Sequence, residues 1–163
     1  MNTDRIEERK KPEKDPLLAR GRVRAVIRVQ NMFLDREIKV DLGENIVVNS
    51  GLRMTLYRLK DNNYSPVSHL AVGTSSASES ATNTALGQEK TRKAASVSVD
   101  TSSYKLVVAA SFSSSEINGC REAGIFNAST GGTMLARKVF SSAIQVPEGF
   151  TAELRYEISL SRA

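Results

Sequence analysis

Catalysis near neutral pH needs side chains whose pKa values can be brought close to 7 and held together. This chain of 163 residues offers few of them: one histidine, His69, and one cysteine, Cys120. A nucleophile–base pair could be built only from Cys120 or a serine with His69. His69 lies inside the short apolar run Val67–Val72, where a half-buried place in a β-sheet accounts for it. Cys120 follows the turn signal Asn118-Gly119 and reads as a small hydrophobe. Its neighbour Arg121 could favour the thiolate, but no second group joins them. Glu116 and Glu122 are the nearest approach to a carboxylate pair. Six residues of extended chain span about 20 Å, against about 5–9.5 Å between the carboxyl groups of glycosidases. Gly131-Gly132 lacks the following Lys-Ser/Thr of a phosphate loop and reads as a hairpin turn. One cysteine and one histidine cannot furnish a Cys/His metal site or an internal disulfide. The expectation is a protein that is not an enzyme, with no catalytic residues, no cofactor and no metal.

The charged feature with a defined geometry is a row of arginines. Over Gly21–Asn31, Val23, Ala25, Ile27 and Val29 alternate with Arg22, Arg24, Val26, Arg28 and Gln30, the period of a half-buried strand. Arg22, Arg24 and Arg28 then share one side, with Arg20 just before them. Neighbours on that side are about 6.6 Å apart, which suits an acidic protein surface or phosphates. The alternative is a solvated edge strand whose charges keep sheets from pairing. The net charge of +5 sits wholly here: residues 1–60 hold 14 Lys/Arg and 9 Asp/Glu, whereas residues 61–163 hold 9 of each. Arg5, Arg9, Lys10, Lys11 and Lys14 precede the row. With Arg20, Arg22, Arg24 and Arg28 they are the candidate partner-binding residues.

The elements that position these groups are mostly strands. Residues 1–19 carry mixed charge, Pro12 and Pro16, and three large apolar residues after Met1. They read as an extended arm, with a short helix over Arg5–Lys11 as an option; residues 20–163 form the domain. Residues 37–48 read as two short strands about a turn at Gly43. Asn49-Ser50-Gly51 opens a helix to about Lys60, with Leu52, Leu56 and Leu59 as its apolar stripe. Val67–Val72 is a strand, and residues 74–85 form a polar, poorly fixed loop. Val97 and Val99 alternate; strands follow over Tyr104–Phe112, Ile117–Phe126, Thr133–Phe140 and Phe150–Leu160, with Ser113–Ser115 a strand-to-turn transition. Short strands at this spacing predict an all-β, antiparallel β-sandwich of jelly-roll-like type, with one short helix and an extended N-terminal arm. Hydrophobic residues make up 40% of the chain, which excludes global disorder. Aromatic residues make up 6% with no tryptophan, which disfavours a stacking surface for sugars or single-stranded bases. No stretch approaches the roughly 18 apolar residues of a membrane span, and the N-terminus has no apolar signal core. The protein is thus expected to stay in the cytoplasm until assembly.

One ordered set of motifs carries a resemblance. His69–Arg92 reads HLAVGTSSASESATNTALGQEKTR and Ile117–Phe140 reads INGCREAGIFNASTGGTMLARKVF. Ala71 and Gly73, then Thr84, Leu86, Glu89 and Arg92, then Glu122, Ala123, Gly124, Ile125, Phe126 and Asn127, and finally Met134, Ala136 and Arg137, follow a pattern that resembles small structural proteins of tailed bacteriophages. Asn49–Leu59 resembles the helix that precedes the first motif in such proteins, so the resemblance covers about residues 45–163. It implies a virion structural protein of the tail, baseplate or fibre-attachment region, made in the host cytoplasm and partnered by tail, connector or major capsid protein. A capsid cement or decoration protein clamping the head shell is the alternative, and a carbohydrate- or nucleic-acid-binding β-module is the reading from another class. Glu89, Arg92, Glu122 and Arg137 are expected to form inter-strand or inter-subunit ion pairs. A homo-oligomer, a trimer if it sits on a fibre or three-fold axis, is the expected state.

Overall fold

A computed structural model describes the backbone of residues 17–31 and 34–162, and the side chains of residues 21–23 and 39–161. The possible helix over Arg5–Lys11 and the first sixteen residues of the expected arm lie outside the described residues. The fold is antiparallel β throughout. β1 (Leu17–Asn31) and β2 (Leu34–Val47) form a long hairpin, and α1 (Asn49–Lys60) follows. Then come β3 (His69–Gly73), β4 (Glu89–Ala94), β5 (Ser96–Asp100), β6 (Lys105–Ser113), α2 (Ser114–Ile117), β7 (Glu122–Phe126), β8 (Met134–Val139) and β9 (Thr151–Arg162). The strands are hydrogen-bonded in the order β4-β3-β7-β8-β2-β1-β9-β6-β5. β4 and β5 stand at opposite ends of that order yet are joined through Ala95 alone. The sheet therefore folds round on itself into a nearly closed sandwich.

The core lies between the two halves. From one side come Val23, Val108, Phe112, Leu154 and Tyr156; from the other, Leu70, Val72, Ala123 and Ile125. β9 shows why the sequence builds it: Ala152, Leu154, Tyr156 and Ile158 are buried at alternate positions, the signature of a strand with one face inward. The buried Tyr156 hydroxyl donates to the Ala123 carbonyl across the core, at 3.3 Å, so the one polar atom brought inside by that large ring is satisfied.

Several local expectations change. β1 begins at Leu17, so residues 17–19 belong to the sheet and not to an arm; they pair with Arg162, Ser161 and Leu160, and a waiting backbone partner outweighs local composition. β1 lies between β2 and β9, so the arginine strand is not an edge strand. Residues 37–48 are not two strands about a turn: β2 runs on from Leu34, and Gly43, at φ 92°, takes up a bulge opposite Val23/Arg24. β4 is a strand although EKTRKA has no apolar face, because a terminal strand needs only the backbone of β3. A second helix, the single turn α2, replaces the strand-to-turn transition: the Ser113 side chain and Glu116 form a reciprocal capping box that satisfies amide groups a strand would have left to a neighbour. The following strand starts at Glu122 rather than Ile117.

α1 matches its expected span, and its apolar stripe is turned away from the core. Gly51 and Met54 are its buried residues, while Leu52, Leu56 and Leu59 are 45%, 67% and 81% exposed. The helix is seated on β8 by small polar contacts. The Val48 N–H donates to the Leu135 carbonyl at 3.1 Å and the Ser50 hydroxyl to the Met134 carbonyl at 3.0 Å. A side chain at Gly51 would run into the Leu135 backbone, so glycine sets how closely the helix approaches. At about 100° per residue the leucine stripe lies about 140° round the helix from this seat.

Candidate functional site

The motif residues converge on one place. The register of β7 with β8 sets Gly124 opposite Arg137 and Glu122 opposite Val139, which makes Glu122 and Arg137 diagonal neighbours. Both are buried; the Arg137 Nε donates to Glu122 Oε2 at 2.9 Å, and Nη2 lies 2.8 Å from the same oxygen as its ion-pair partner. Two such charges are held inside a protein only when their remaining hydrogen-bonding capacity is met. Here the polar stretch 74–88 meets it. Glu122 accepts from the backbone N–H groups of Gln88 at 2.7 Å, Gly87 at 2.9 Å and Ser75 at 3.3 Å. Arg137 donates to Asn83 Oδ1 at 2.8 Å and to the carbonyls of Ala77 at 3.1 Å and Ser78 at 3.3 Å. The loop expected to be poorly fixed is thus wound around a buried ion pair.

The glycines of the motif are explained by that winding. A Cβ on Gly73 would collide with the Gln88 carbonyl and come within 2.6 Å of Glu122 Oε1. Gly124 packs beneath Leu86 and Met134. Ala71, Leu86, Phe126 and Met134 join Val48 in a second apolar cluster. Arg92 lies with its guanidinium 3.6 Å from the Phe126 ring centroid, a cation–π contact. It is held there by Glu89, at 2.9 and 2.6 Å, and by the carbonyls of Ala128 and Gly131 at 3.0 and 2.8 Å. Asn127 Oδ1 accepts the Thr133 N–H at 2.7 Å and closes the β7–β8 turn. Glu89, Arg92, Glu122 and Arg137 therefore make two ion pairs inside one chain. Glu79, which sequence reasoning missed, adds a further tie: its carboxylate accepts from the Val139 N–H at 2.6 Å and pairs with Lys138 at 3.2 Å. Nothing in its serine-rich surroundings marks it, because its backbone partner is an amide sixty residues away in the chain.

Of the groups considered for catalysis, Cys120 and Glu116 meet, but through a backbone group: the Cys120 thiol donates to the Glu116 carbonyl at 3.6 Å. Cys120 is buried, and burial pushes its thiol above the ordinary range, which opposes thiolate chemistry. His69 is half-buried in β3 and its Nδ1 lies 2.8 Å from the Ser68 hydroxyl. Glu116 is held below the usual carboxylate range by its bond to Lys93 and by the Ser113 N–H. Among the described residues no cluster of His, Cys, Asp and Glu could hold a metal ion, and no described helix is long and apolar enough to cross a membrane.

Of the candidate partner-binding cations, Arg5, Arg9, Lys10, Lys11 and Lys14 lie outside the described residues. Arg20, Arg24 and Arg28 have described backbone in β1 but no described side chains. Arg22 is exposed and pairs within its own hairpin: Nε donates to Asp41 Oδ1 at 3.1 Å and the second nitrogen meets the other carboxylate oxygen. That bond raises the Arg22 pKa, with Glu44 and Glu157 adding to it, so Arg22 already has acidic company in its own sheet.

What remains on the outside is apolar as well as charged. α1 carries Arg53, Arg58 and Lys60 but no acidic residue, beside its exposed leucines. A search of protein-family models, of curated proteins and of solved structures finds no match to this chain.

Proposed function

We propose that the chain is a non-enzymatic structural protein of a tailed-phage particle, an assembly module of the tail, baseplate or fibre-attachment region that binds other virion proteins. The observation that carries an assembly role is the leucine face of α1. Leu52, Leu56 and Leu59 expose between them the equivalent of about two complete side chains, while among the described residues the helix is seated on its other side, by Gly51, Met54, the Ser50 hydroxyl and backbone contacts. Large apolar residues grouped on an exposed surface mark contact sites. Covering two leucines is worth about 3–6 kcal/mol, which corresponds to roughly two to four decades of affinity. The phage setting rests on the ordered motifs of residues 45–163. Their role in the fold suits it: the buried Glu122–Arg137 pair and its wrapped loop make a platform joined to the start of α1, where the Asn49 N–H donates to the Ala81 carbonyl at 2.8 Å.

The test is incorporation. Particles purified from producing cells are expected to contain the chain as a stoichiometric component by mass spectrometry. The Leu56→Asp/Leu59→Asp double variant, folded by circular dichroism, is expected to be depleted from them at least tenfold. Particles that lack the wild-type chain, or that take up the variant at wild-type occupancy, contradict the reading.

A further inference from the structure

We propose that β5 is a two-fold contact between two copies of this chain, their edge strands pairing antiparallel about Ser98. This stands independently of the α1 face and of the phage setting.

The two terminal strands of the sheet are built differently. β4 is guarded by Glu89, Lys90, Arg92 and Lys93; charge, and lysine above all, is how natural sheets keep an open edge from pairing. β5 reads SVSVD, and its four residues before Asp100 carry no charge and no proline. Among the described strands it is hydrogen-bonded on one side only, to β6, and all five of its residues are exposed.

The apolar rows of the core also stop short at this edge. One row runs from Tyr156 through Val108 to Val97, the other from Ile158 through Leu106 to Val99, each residue directly opposite the next. Tyr156 and Val108 are completely buried, whereas Val97 is 39% and Val99 67% exposed. Val97 and Val99 thus stand on the core-facing side, with no further described strand beside them. Leu160, exposed, continues that side of β9 beyond the end of β5; its N–H donates to the Tyr104 carbonyl at 3.1 Å. One more strand with valines in matching places would complete both rows.

A second copy supplies that strand. When β5 is laid antiparallel on itself about Ser98, Val97 faces Val99 of the partner subunit, so the two rows continue across the axis as four valines. Ser96 faces the partner's Asp100, and no like charges are opposed, whereas opposed like charges destabilise cross-strand pairs. The contact is isologous, as a two-fold axis requires. Asp100 helps to hold the strand end in place: its carboxylate accepts from the backbone and hydroxyl groups of Ser102 and Ser103, which fixes the turn into β6.

Light scattering on the full chain is expected to give twice the mass of the 17.8 kDa protomer. The Val97→Lys/Val99→Lys double variant should give the single-chain mass with its β-sheet circular dichroism retained, and its melting temperature, unlike that of the wild type, should not rise with protein concentration. The register has its own test. Residues directly opposite in an antiparallel pair are about 4.5–5.5 Å apart at Cα, within the range of about 4.4–6.8 Å for a disulfide. Ser98→Cys should therefore cross-link two copies on oxidation. Ser96→Cys should not, since it lies about 13 Å from its equivalent. The native Cys120 is buried and does not compete. A single-chain or three-chain mass for the wild type, a lysine variant that remains dimeric, or cross-linking as efficient at 96 as at 98 would each overturn the contact.

Discussion

Replacing Arg137 by methionine should unfold the platform around Glu122 at a cost that the structure lets one estimate. Methionine keeps the aliphatic volume but removes both contacts with Glu122 Oε2 and the bonds to Asn83, Ala77 and Ser78. The carboxylate is left buried, still accepting three backbone N–H groups but with no countercharge. Breaking a buried pair on one side costs about 3–5 kcal/mol, out of a total stability of about 5–15 kcal/mol for a domain. For a chain of this size that is a fall in melting temperature of about 6–20 °C. The exposed pair Arg22–Asp41 provides the control, since surface pairs are worth about 0–1 kcal/mol; Arg22→Met should lower the melting temperature by under about 4 °C. Glu122→Gln combined with Arg137→Met should recover part of the loss, because the second change removes the stranded charge. The assay is thermal and urea unfolding of the single and double variants as a cycle. A loss under 1 kcal/mol for Arg137→Met, or strict additivity in the cycle, would refute the view that loop 74–88 is ordered by this pair.

Three further outcomes follow. Gly51→Ala and Gly73→Ala should each cost about 1–3 kcal/mol through overpacking, against the Leu135 backbone and against Gln88 with Glu122 respectively; urea unfolding measures it, and a loss under about 0.5 kcal/mol at either site would contradict the close approach. Cys120 should resist alkylation by iodoacetamide in the native protein at neutral pH and react on unfolding, because burial raises its pKa; rapid native labelling would contradict it. Asp100 is held down at about 2 by the Ser102 and Ser103 bonds, against an ordinary 3.8. A depressed carboxylate stabilises the fold above its unfolded pKa, and that contribution is lost as pH falls through the folded value. The difference in melting temperature between wild type and Asp100→Asn should therefore shrink from about pH 4 down to about pH 2, and a constant difference would count against the clamp.

The parts of the fold that were legible in the sequence are those where local pattern and final environment agree. β9 could be read because one face is inside along most of its length, and α1 because the turn residues at both of its ends are explicit. β4 could not, since pairing with β3 asks nothing of its side chains. What covers the apolar face of α1 is not legible for a related reason. A leucine stripe marks an apolar face, but whether that face is covered by the same chain or another is decided by Gly51 and the β8 backbone. Glu122 and Arg137 stood out as polar residues in apolar strands, yet their pairing depends on a register in which Gly124 meets Arg137. The loop that serves them contributes mostly backbone groups, which any polar sequence possesses.

The assembly role is tested most directly by a cryo-EM map of the intact particle at a resolution that shows side chains. The account predicts copies of this β-domain in the tail, baseplate or fibre-attachment region, with Leu52, Leu56 and Leu59 of α1 covered by a neighbouring virion protein. A map in which the domain is absent, or in which that helix face stands in open solvent in every copy, would contradict it.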